Sequence, residues 1–178
     1  MNKIELRRIT DTEHHMYAEA LKLYDESFPI HEIREGISQH AILKDPAYSF
    51  DLIFSRNEFI GLALFWTKDR FIYIEHLCIL PEKRNMHYGE MTLDFLKQYG
   101  KILILEIDPP IDAISIRRMA FYERCGFCQN SFEHIHPPYH KEFKGHELRI
   151  MSYPEPISND VYREFNDYLG SHIMADAF

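Results

Sequence analysis

Residues 77–89 read LCILPEKRNMHYG and join an apolar segment to a segment with helical periodicity. The apolar segment, Phe71–Ile79, is typical of a buried strand, and Met91–Tyr99 repeats apolar side chains at helical spacing. A polar loop between a strand and a helix exposes backbone N–H groups at the positive end of the helix dipole. Arg84 adds positive charge, and Gly89 permits close approach of the backbone. The passage therefore predicts an anion site, above all for a pyrophosphate.

Three strands and two helices are predicted before this passage. Alternating or continuous apolar residues bounded by turns indicate the strands, and apolar residues every three or four positions indicate the helices. Thr10 or Asp11 is a candidate N-cap for the first helix, and Asp45-Pro46 ends the second. The strands are Ile4–Ile9, Tyr48–Phe54 and Phe59–Trp66, and the helices are Ala18–Tyr24 and His31–Leu43.

A second group of elements follows the passage. Ile102–Ile107 is apolar apart from Glu106, which is typical of a buried central strand. Gly126 is well placed to end a helix by adopting a left-handed conformation. The remaining elements are a helix over Ala113–Cys125, strands over Phe127–Ile135 and Glu147–Tyr153, and a last helix from Ser158 or Asn159 through Tyr168. This order predicts one α/β domain whose sheet begins as antiparallel hairpins.

Composition and charge exclude several classes of protein. The 178 residues carry a formal net charge of -8, so a nucleic-acid partner is not expected, whereas a cationic amine substrate suits an acidic surface. No apolar run reaches the length of about 18 residues that a membrane span requires. The first residues lack the apolar core of a signal peptide, and three cysteines, an odd number, favour a reducing compartment. We expect a cytoplasmic protein without a membrane partner.

Two motifs resemble those of the GNAT N-acetyltransferase superfamily. The acetyl-CoA loop of that family reads Arg/Gln-x-x-Gly-x-Gly/Ala after a strand and a proline. Residues 84–89 match it at the first and last positions, with His87 in place of the first glycine. Residues 121–127, FYERCGF, fit the family's Tyr-x-x-x-Gly-Phe pattern, with Ser115 where Asn is common. A looser match is Phe28-Pro29 followed by Glu32 and Arg34, so the resemblance extends from Tyr24 to about Ile135.

The resemblance implies a fold, a cofactor and a reaction. The fold is the GNAT-type acyl-CoA N-acyltransferase fold, α/β (α+β), with a mixed, mostly antiparallel central sheet flanked by helices. One domain over residues 1–178 would have this fold, with a C-terminal helical extension at about residues 158–170. The cofactor is acetyl-CoA, and the reaction is direct attack of a primary amine on the thioester in a ternary complex.

The resemblance also implies roles for individual residues. Tyr122 would protonate the leaving thiolate, and Glu75 or Glu106 would be the general base, with Glu75 favoured because the family often carries a base on that strand. A buried carboxylate at either position is expected to have a raised pKa. Glu32 and Tyr139 would line the amine pocket. The implied cofactor-binding residues are Leu77, Cys78, Ile79, Arg84, Asn85, Met86, His87, Tyr88, Gly89 and Ser115.

Four other features bear on this interpretation. His87 and Ser115 depart from the family motifs, which leaves room for a non-catalytic acyl-CoA-binding or regulatory module on the same fold. A metal enzyme would use histidines around residues 134–146, but the carboxylates there lack diagnostic spacing, so we predict no metal. Cys125 and Cys128 form an isolated C-x-x-C spacing, which we interpret as incidental. The last helix either packs on the domain or forms a homodimer.

Overall fold

The computed structural model describes residues 3–178, so the first two residues of the domain predicted over residues 1–178 lie outside the described part. Eight strands form the sheet, and five helices flank it. The strands are β1 (Ile4–Ile9), β2 (Tyr48–Ser55), β3 (Glu58–Thr67), β4 (Phe71–Ile79), β5 (Ile102–Ile107), β6 (Cys128–Gln129), β7 (His134–His136) and β8 (His146–Tyr153). The helices are α1 (Tyr17–Ser27), α2 (Gly36–Ile42), α3 (Tyr88–Lys97), α4 (Ala113–Arg124) and α5 (Asn159–Tyr168).

The sheet is mixed and mostly antiparallel, as predicted. Its strands lie in the order β1-β2-β3-β4-β5-β8-β6, and β7 pairs with a different part of β8. Only β4 and β5 are parallel among the strand pairs of residues 3–178. Parallel neighbours need a crossover connection, and α3 supplies it.

Both faces of the sheet are apolar because helices cover both. Along β3, Leu62, Leu64 and Trp66 belong to a cluster that includes side chains of α1 and α5. Ala63 and Phe65 point to the opposite face, into a cluster that includes side chains of α3. Successive side chains of a strand alternate between faces, so β3 contributes side chains to both cores. Its sequence is therefore a continuous apolar run.

The strands β4 and β5 separate halfway along their length. They pair from Phe71 with Ile102 to Ile74 with Leu105, and β4 then continues to Ile79 without β5 beside it. On the other side, β4 bulges against β3, because the register shifts at Ile74 and Glu75 is left without an opposing residue. This separation opens the sheet at the residues that precede the polar loop.

Gly61 lets β3 follow β4 through this region. A Cβ atom at Gly61 would lie 2.2 Å from the carbonyl oxygen of Cys78. That distance is far below van der Waals contact, so only glycine fits opposite the free end of β4.

The chain after β8 is buried more extensively than its sequence indicates. Ser158 caps α5, since its hydroxyl oxygen accepts a hydrogen bond from the backbone N–H of Val161 at 3.3 Å. A π-helical turn, Leu169–Ile173, follows directly. Ile173, Met174 and Ala177 are all buried in the cluster with α1. The predicted extension over about residues 158–170 is therefore longer and forms part of the core.

Two predicted elements and one predicted helix cap differ from the structure. The helix predicted over His31–Leu43 divides into a 3₁₀ turn, Ile30–Glu32, and α2, because Ile33 between them has extended backbone. Asp11 does not cap α1. Its carboxylate accepts from the N–H of Glu13 at 2.9 Å, and the helix begins six residues later without a side-chain cap.

The prediction of one continuous strand over Phe127–Ile135 is also wrong. It divides into β6 and β7, which pair with different parts of β8. Asn130 lies between them, and its side-chain amide donates to the hydroxyl of Ser152 at 2.9 Å while its oxygen accepts from Ile157 N–H. The side-chain amide of Asn130 therefore provides hydrogen bonds to backbone and side-chain groups at the point where the pairing of β6 with β8 ends.

Within residues 3–178, no helix combines the length and the apolar character needed to cross a bilayer.

Candidate functional site

A cavity of about 1230 Å³ opens where β4 and β5 separate. It exceeds the roughly 300–1,000 Å³ of ordinary small-molecule pockets, so it has room for a large cofactor and a second substrate. Six parts of the chain line it: the end of α1 with the 3₁₀ turn that follows, the free end of β4, the loop that precedes α3, one face of α4, the end of β5, and residues 136–139 and 143–148.

The loop before α3 lines the cavity and contains two residues with left-handed backbone. Asn85 and His87 both have left-handed backbone, with φ of 60° and 64°, and they bracket Met86. Such alternation points neighbouring N–H groups to one side and forms an anion-binding concavity. His87 is the N-cap of α3 but makes no side-chain capping bond with any described residue. The positive end of α3 is therefore available to an anion.

Other predicted loop residues contribute charge and packing. Arg84 is exposed at the cavity, and its Nε donates to the carbonyl oxygen of Ile79 at 3.2 Å. A Cβ atom at Gly89 would lie 3.3 Å from the ring of Phe121, so Gly89 allows α3 to approach α4. Tyr88 is buried beneath the loop. Met86 belongs to the loop but lies outside the cavity wall.

The free end of β4 forms the middle of the cavity wall. Leu77, Cys78 and Ile79 all line it. Beyond Ile74 these residues lack β5 as a neighbour, so their backbone groups on that side are open to a ligand. Burial raises the pKa of the Cys78 thiol to about 11, and the thiol is neutral at physiological pH.

Tyr122 reaches the cavity from α4. Its ring contacts those of Phe121 and Phe127, with centroids 5.1 and 5.8 Å away. Burial raises the pKa of its hydroxyl to about 12, so the phenol is protonated at neutral pH. A protonated, ring-clamped phenol at a cavity wall is suited to donate a hydrogen bond.

Glu75 lies at the bulge of β4 with both carboxylate oxygens occupied. Arg34 and the hydroxyl of Tyr139 donate to Oε1 at 3.0 and 2.9 Å, and Trp66 Nε1 donates to Oε2 at 2.7 Å. Burial raises the pKa of Glu75, but the positive charges of Arg34 and His76 and these hydrogen bonds outweigh it, so the pKa is lowered. The expected raised pKa is wrong for this residue.

Glu106 faces the histidines of β7. His134 Nε2 donates to Oε1, the hydroxyl of Tyr73 donates to Oε2, and His136 Nε2 lies 3.8 Å from Oε2. Burial raises the pKa of Glu106, but the charge of His136, the contact with His134 and the bond from Tyr73 lower it overall. The expected raised pKa is wrong here too, because the sequence did not reveal these partners.

Ser115 lies outside the cavity wall. Its hydroxyl accepts from the backbone N–H of Asp112 at 3.1 Å, and the Asp112 carboxylate accepts from Ser115 N–H at 2.8 Å. This reciprocal pair is a capping box at the start of α4. The structure thus places Ser115, predicted as a cofactor-binding residue, in the cap of α4.

The two predicted substrate residues, Glu32 and Tyr139, both line the cavity. Burial and the charge of Asp108 raise the pKa of Glu32. Glu32 also forms a group with His31 and His146, whose ligand atoms lie within 4.8 Å of one another. Two imidazoles and a carboxylate are a donor set that divalent cations accept.

Sequence analysis did not identify the hydrogen-bond partners of two buried residues near the site, Arg34 and His76. Arg34 is a buried cation that also donates to the carbonyl oxygen of Ile173 at 2.7 Å, which ties the C-terminal segment to β4. His76 Nε2 donates to the carbonyl oxygen of Glu32 at 2.7 Å, and its Nδ1 is buried without a partner among the described residues. Arg34 was quoted in the looser motif, but nothing in local sequence identifies Glu75 as its partner.

Comparison with known proteins agrees with this architecture. A family model described as "Acetyltransferase (GNAT) family" matches residues 13–127. "Putative acetyltransferase YjbC" of Bacillus subtilis (strain 168) is 27% identical over 101 residues, 56% of this chain and 51% of that protein. The chain thus aligns with about half the length of this relative.

Solved structures show the same fold. "Putative acetyltransferase from GNAT family from Bacteroides thetaiotaomicron" superposes with a TM-score of 0.89 at 26% identity, over 96% of this chain and 98% of that one. A GNAT family acetyltransferase from Elizabethkingia anophelis with acetyl-CoA bound has a TM-score of 0.54 at 15% identity, over 84% and 97%. The predicted fold type is therefore confirmed, and one protein of this fold, the one from Elizabethkingia anophelis, has acetyl-CoA bound.

Proposed function

This chain belongs to the acetyltransferase (GNAT) family, and on that premise we propose that it transfers the acetyl group of acetyl-CoA to a primary amine. The amine attacks the thioester directly while both substrates are bound. The observation that supports this most is the cavity, which connects the uncapped start of α3 with the separated ends of β4 and β5. One continuous space suits an anionic cofactor at one end and an acceptor at the other.

The proposed cofactor site divides into two parts. The backbone of residues 84–89 and the start of α3 bind the pyrophosphate, because unpaired N–H groups and the helix dipole favour an anion. The free edge of β4 at Leu77, Cys78 and Ile79 binds the extended pantetheine arm through backbone hydrogen bonds. One N–H of this edge polarises the thioester carbonyl as negative charge develops on its oxygen.

The proposed chemistry needs a donor and an acceptor of protons. Tyr122 donates to the sulfur of coenzyme A as the C–S bond breaks, and its protonated phenol at neutral pH supports this role. Of the two carboxylates predicted as base, Glu106 is the one that lies beside His134 and His136. Both of its oxygens are hydrogen-bonded, so it acts in proton acceptance together with these histidines rather than alone. Arg34, Trp66 and Tyr139 already use both oxygens of Glu75, so that carboxylate is suited to holding the bulge of β4.

Calorimetric titration with acetyl-CoA tests the cofactor site. Arg84→Glu reverses a charge beside the proposed pyrophosphate position, and we expect affinity to fall by about tenfold or more, equivalent to about 1.4 kcal/mol. Arg117→Glu is the matched control, because Arg117 is exposed on α4 and lies outside the cavity wall. Equal affinity for the wild-type protein and Arg84→Glu would argue against the loop as the anion site.

Release of free thiol from acetyl-CoA in the presence of an amine panel tests catalysis. The panel contains a polyamine, an aminoglycoside, lysine and a peptide with a free N-terminus. Tyr122→Phe is expected to lower kcat by about 10²-fold or more without changing acetyl-CoA affinity. A protein that binds acetyl-CoA but releases no thiol with any amine would be a binding module, and the proposed activity would be rejected.

A further inference from the structure

His136 combines deep burial with direct access to the cavity. Its side chain is 4% exposed, and it lines the cavity at the end of β7. The ring stacks on Tyr139, with centroids 4.8 Å apart, and the hydroxyl of Tyr139 bonds Glu75 at the bulge of β4. His136 therefore lies beside the point where β4 and β5 separate, which is where the acetyl group would be held.

The hydrogen bonds of His136 determine which ring nitrogen carries a proton. Nδ1 lies 2.6 Å from the carbonyl oxygen of Pro137, and a carbonyl oxygen can only accept. Nδ1 is therefore protonated in this geometry, and in the neutral ring Nε2 carries a lone pair. Nε2 is buried and has no hydrogen-bond partner among residues 3–178. A buried polar atom without a partner at a cavity wall points to a ligand group.

The carboxylate of Glu106 lies close to Nε2 of His136. Oε2 of Glu106 is 3.8 Å from Nε2 of His136, and the side chain of Glu106 is 5% exposed. His134 and Tyr73 donate to the two oxygens of Glu106, which fixes the direction of the carboxylate. An added proton at Nε2 would thus create an imidazolium beside a fixed negative charge, where attraction is strong.

We propose that Nε2 of His136 accepts the proton that the acceptor amine loses, and that Glu106 acts as a positioning residue that stabilises the imidazolium. This inference rests on the proposed acetyl transfer. A bond forms between the amine nitrogen and the acetyl carbon, the C–S bond breaks, and its electron pair goes to sulfur. The amine proton moves to Nε2, sulfur takes a proton from Tyr122, and water restores both side chains to their starting states.

The groups around His136 give the step its pH dependence. Glu106 faces the ring from β5, His134 shares its strand, Tyr139 stacks on it, and His76 faces it from β4. His76 also has an unpartnered nitrogen. It lies between the rings of Tyr24 and Phe28 with centroids 5.0 and 4.6 Å away, and burial lowers its pKa. Among the described residues, no carboxylate oxygen lies within 4.0 Å of a ring nitrogen of His76, whereas Oε2 of Glu106 lies 3.8 Å from Nε2 of His136, which favours His136.

The test compares His136→Gln with His140→Gln. His140 is a buried histidine of the same segment that donates to the carbonyl oxygen of Ile33 at 2.9 Å and lies outside the cavity wall. With an accepted amine, kcat of the wild type should fall on the acid side as Nε2 becomes protonated. His136→Gln should lower kcat by about 10²- to 10³-fold and remove that acid-side ionisation, with unchanged acetyl-CoA affinity. His140→Gln should keep the ionisation.

Two further measurements use the variant Glu106→Gln and NMR spectra of the resting protein. Both respond to proton acceptance by His136, and neither would respond if His136 were only structural. Without the carboxylate the imidazolium is less stable, so the acid-side ionisation should move to lower pH. Nitrogen-15 spectra should show the Nδ1–H tautomer of His136 in the resting protein. An Nε2–H tautomer, or an active His136→Gln variant that retains the acid-side ionisation, overturns the inference. A wild type that acetylates no amine overturns the proposed function instead, whatever the tautomer.

Discussion

His87 shows at the level of one residue how the loop departs from its family without losing its shape. The family motif has glycine at this position, and here His87 adopts a φ of 64°. Left-handed backbone costs a residue with a Cβ atom about 1–2 kcal/mol, whereas glycine adopts it freely. The exposed contact of His87 with Glu90 at 3.0 Å contributes little to stability because solvent screens it.

Replacing His87 with glycine should therefore stabilise the protein. We expect His87→Gly to raise the free energy of unfolding by about 0.5–1 kcal/mol, because relief of strain exceeds the added entropy of the unfolded chain. Urea denaturation measures this change. Asn85→Gly is the matched control, since asparagine tolerates left-handed backbone better and the gain should be smaller. A destabilised His87→Gly variant would show that the histidine ring holds the loop.

Among the strands, β2 carries a carboxyl group, that of Asp51, in a buried position that disfavours its ionised form. Asp51 is buried in β2 opposite Arg8 of β1, and its Oδ1 lacks a partner among residues 3–178. Burial raises its pKa from 3.8 to about 6, although the positive charge of Arg8 opposes the shift. A strand between two neighbours leaves little space for water, so the cost of ionising this carboxylate falls on the native state.

The stability that Asp51 contributes should decrease as pH rises. A carboxyl with a raised native pKa contributes stability below pH 3.8 and loses it as pH rises to about 6. The free energy of unfolding of Asp51→Asn minus that of the wild type should therefore increase by about 2–3 kcal/mol from pH 4 to pH 8. Urea denaturation at both values measures it, with Ser55→Ala of the same strand as control. A difference that does not change with pH would contradict the shifted pKa.

For the whole molecule, the C-terminal segment completes the core beneath the site. Leu169, Ile173, Met174 and Ala177 are all buried with side chains of α1. Arg34 connects this segment to the site, because it donates to the carbonyl oxygen of Ile173 and to Glu75. The segment therefore supports the bulge of β4 although it does not line the cavity.

Removal of residues 169–178 should prevent stable folding. Burial of a Leu, Ile or Met side chain contributes about 1.5–3 kcal/mol, so the loss approaches the roughly 5–15 kcal/mol that holds an ordinary domain together. Arg34 would also remain as a buried charge with one partner fewer. Circular dichroism during urea denaturation should show no cooperative transition for residues 1–168. Deletion of Phe178 alone, which is 58% exposed, is the control. A cooperative transition near that of the full chain would contradict the role of this segment.

Most helices and strands, and the position of the loop that precedes α3, could be predicted from the sequence alone. Periodicity of apolar residues is a short-range property, so β1 to β5, α3 and α4 were predicted with small errors at their ends. The match of residues 84–89 and 121–127 to family motifs predicted where the cavity would lie. The GNAT-type fold followed from the same motifs and their order.

The contacts between polar side chains could be known only from the folded structure, because the residues that form them lie far apart in the sequence. Arg34 and Glu75 are 41 residues apart in the chain, and Glu106 and His134 are 28 apart. Their contacts reverse the expected pKa shifts of both carboxylates, and a hydrogen bond to Pro137 determines the tautomer of His136. Electrostatic effects depend on distance in space, and local sequence patterns carry no information about that distance.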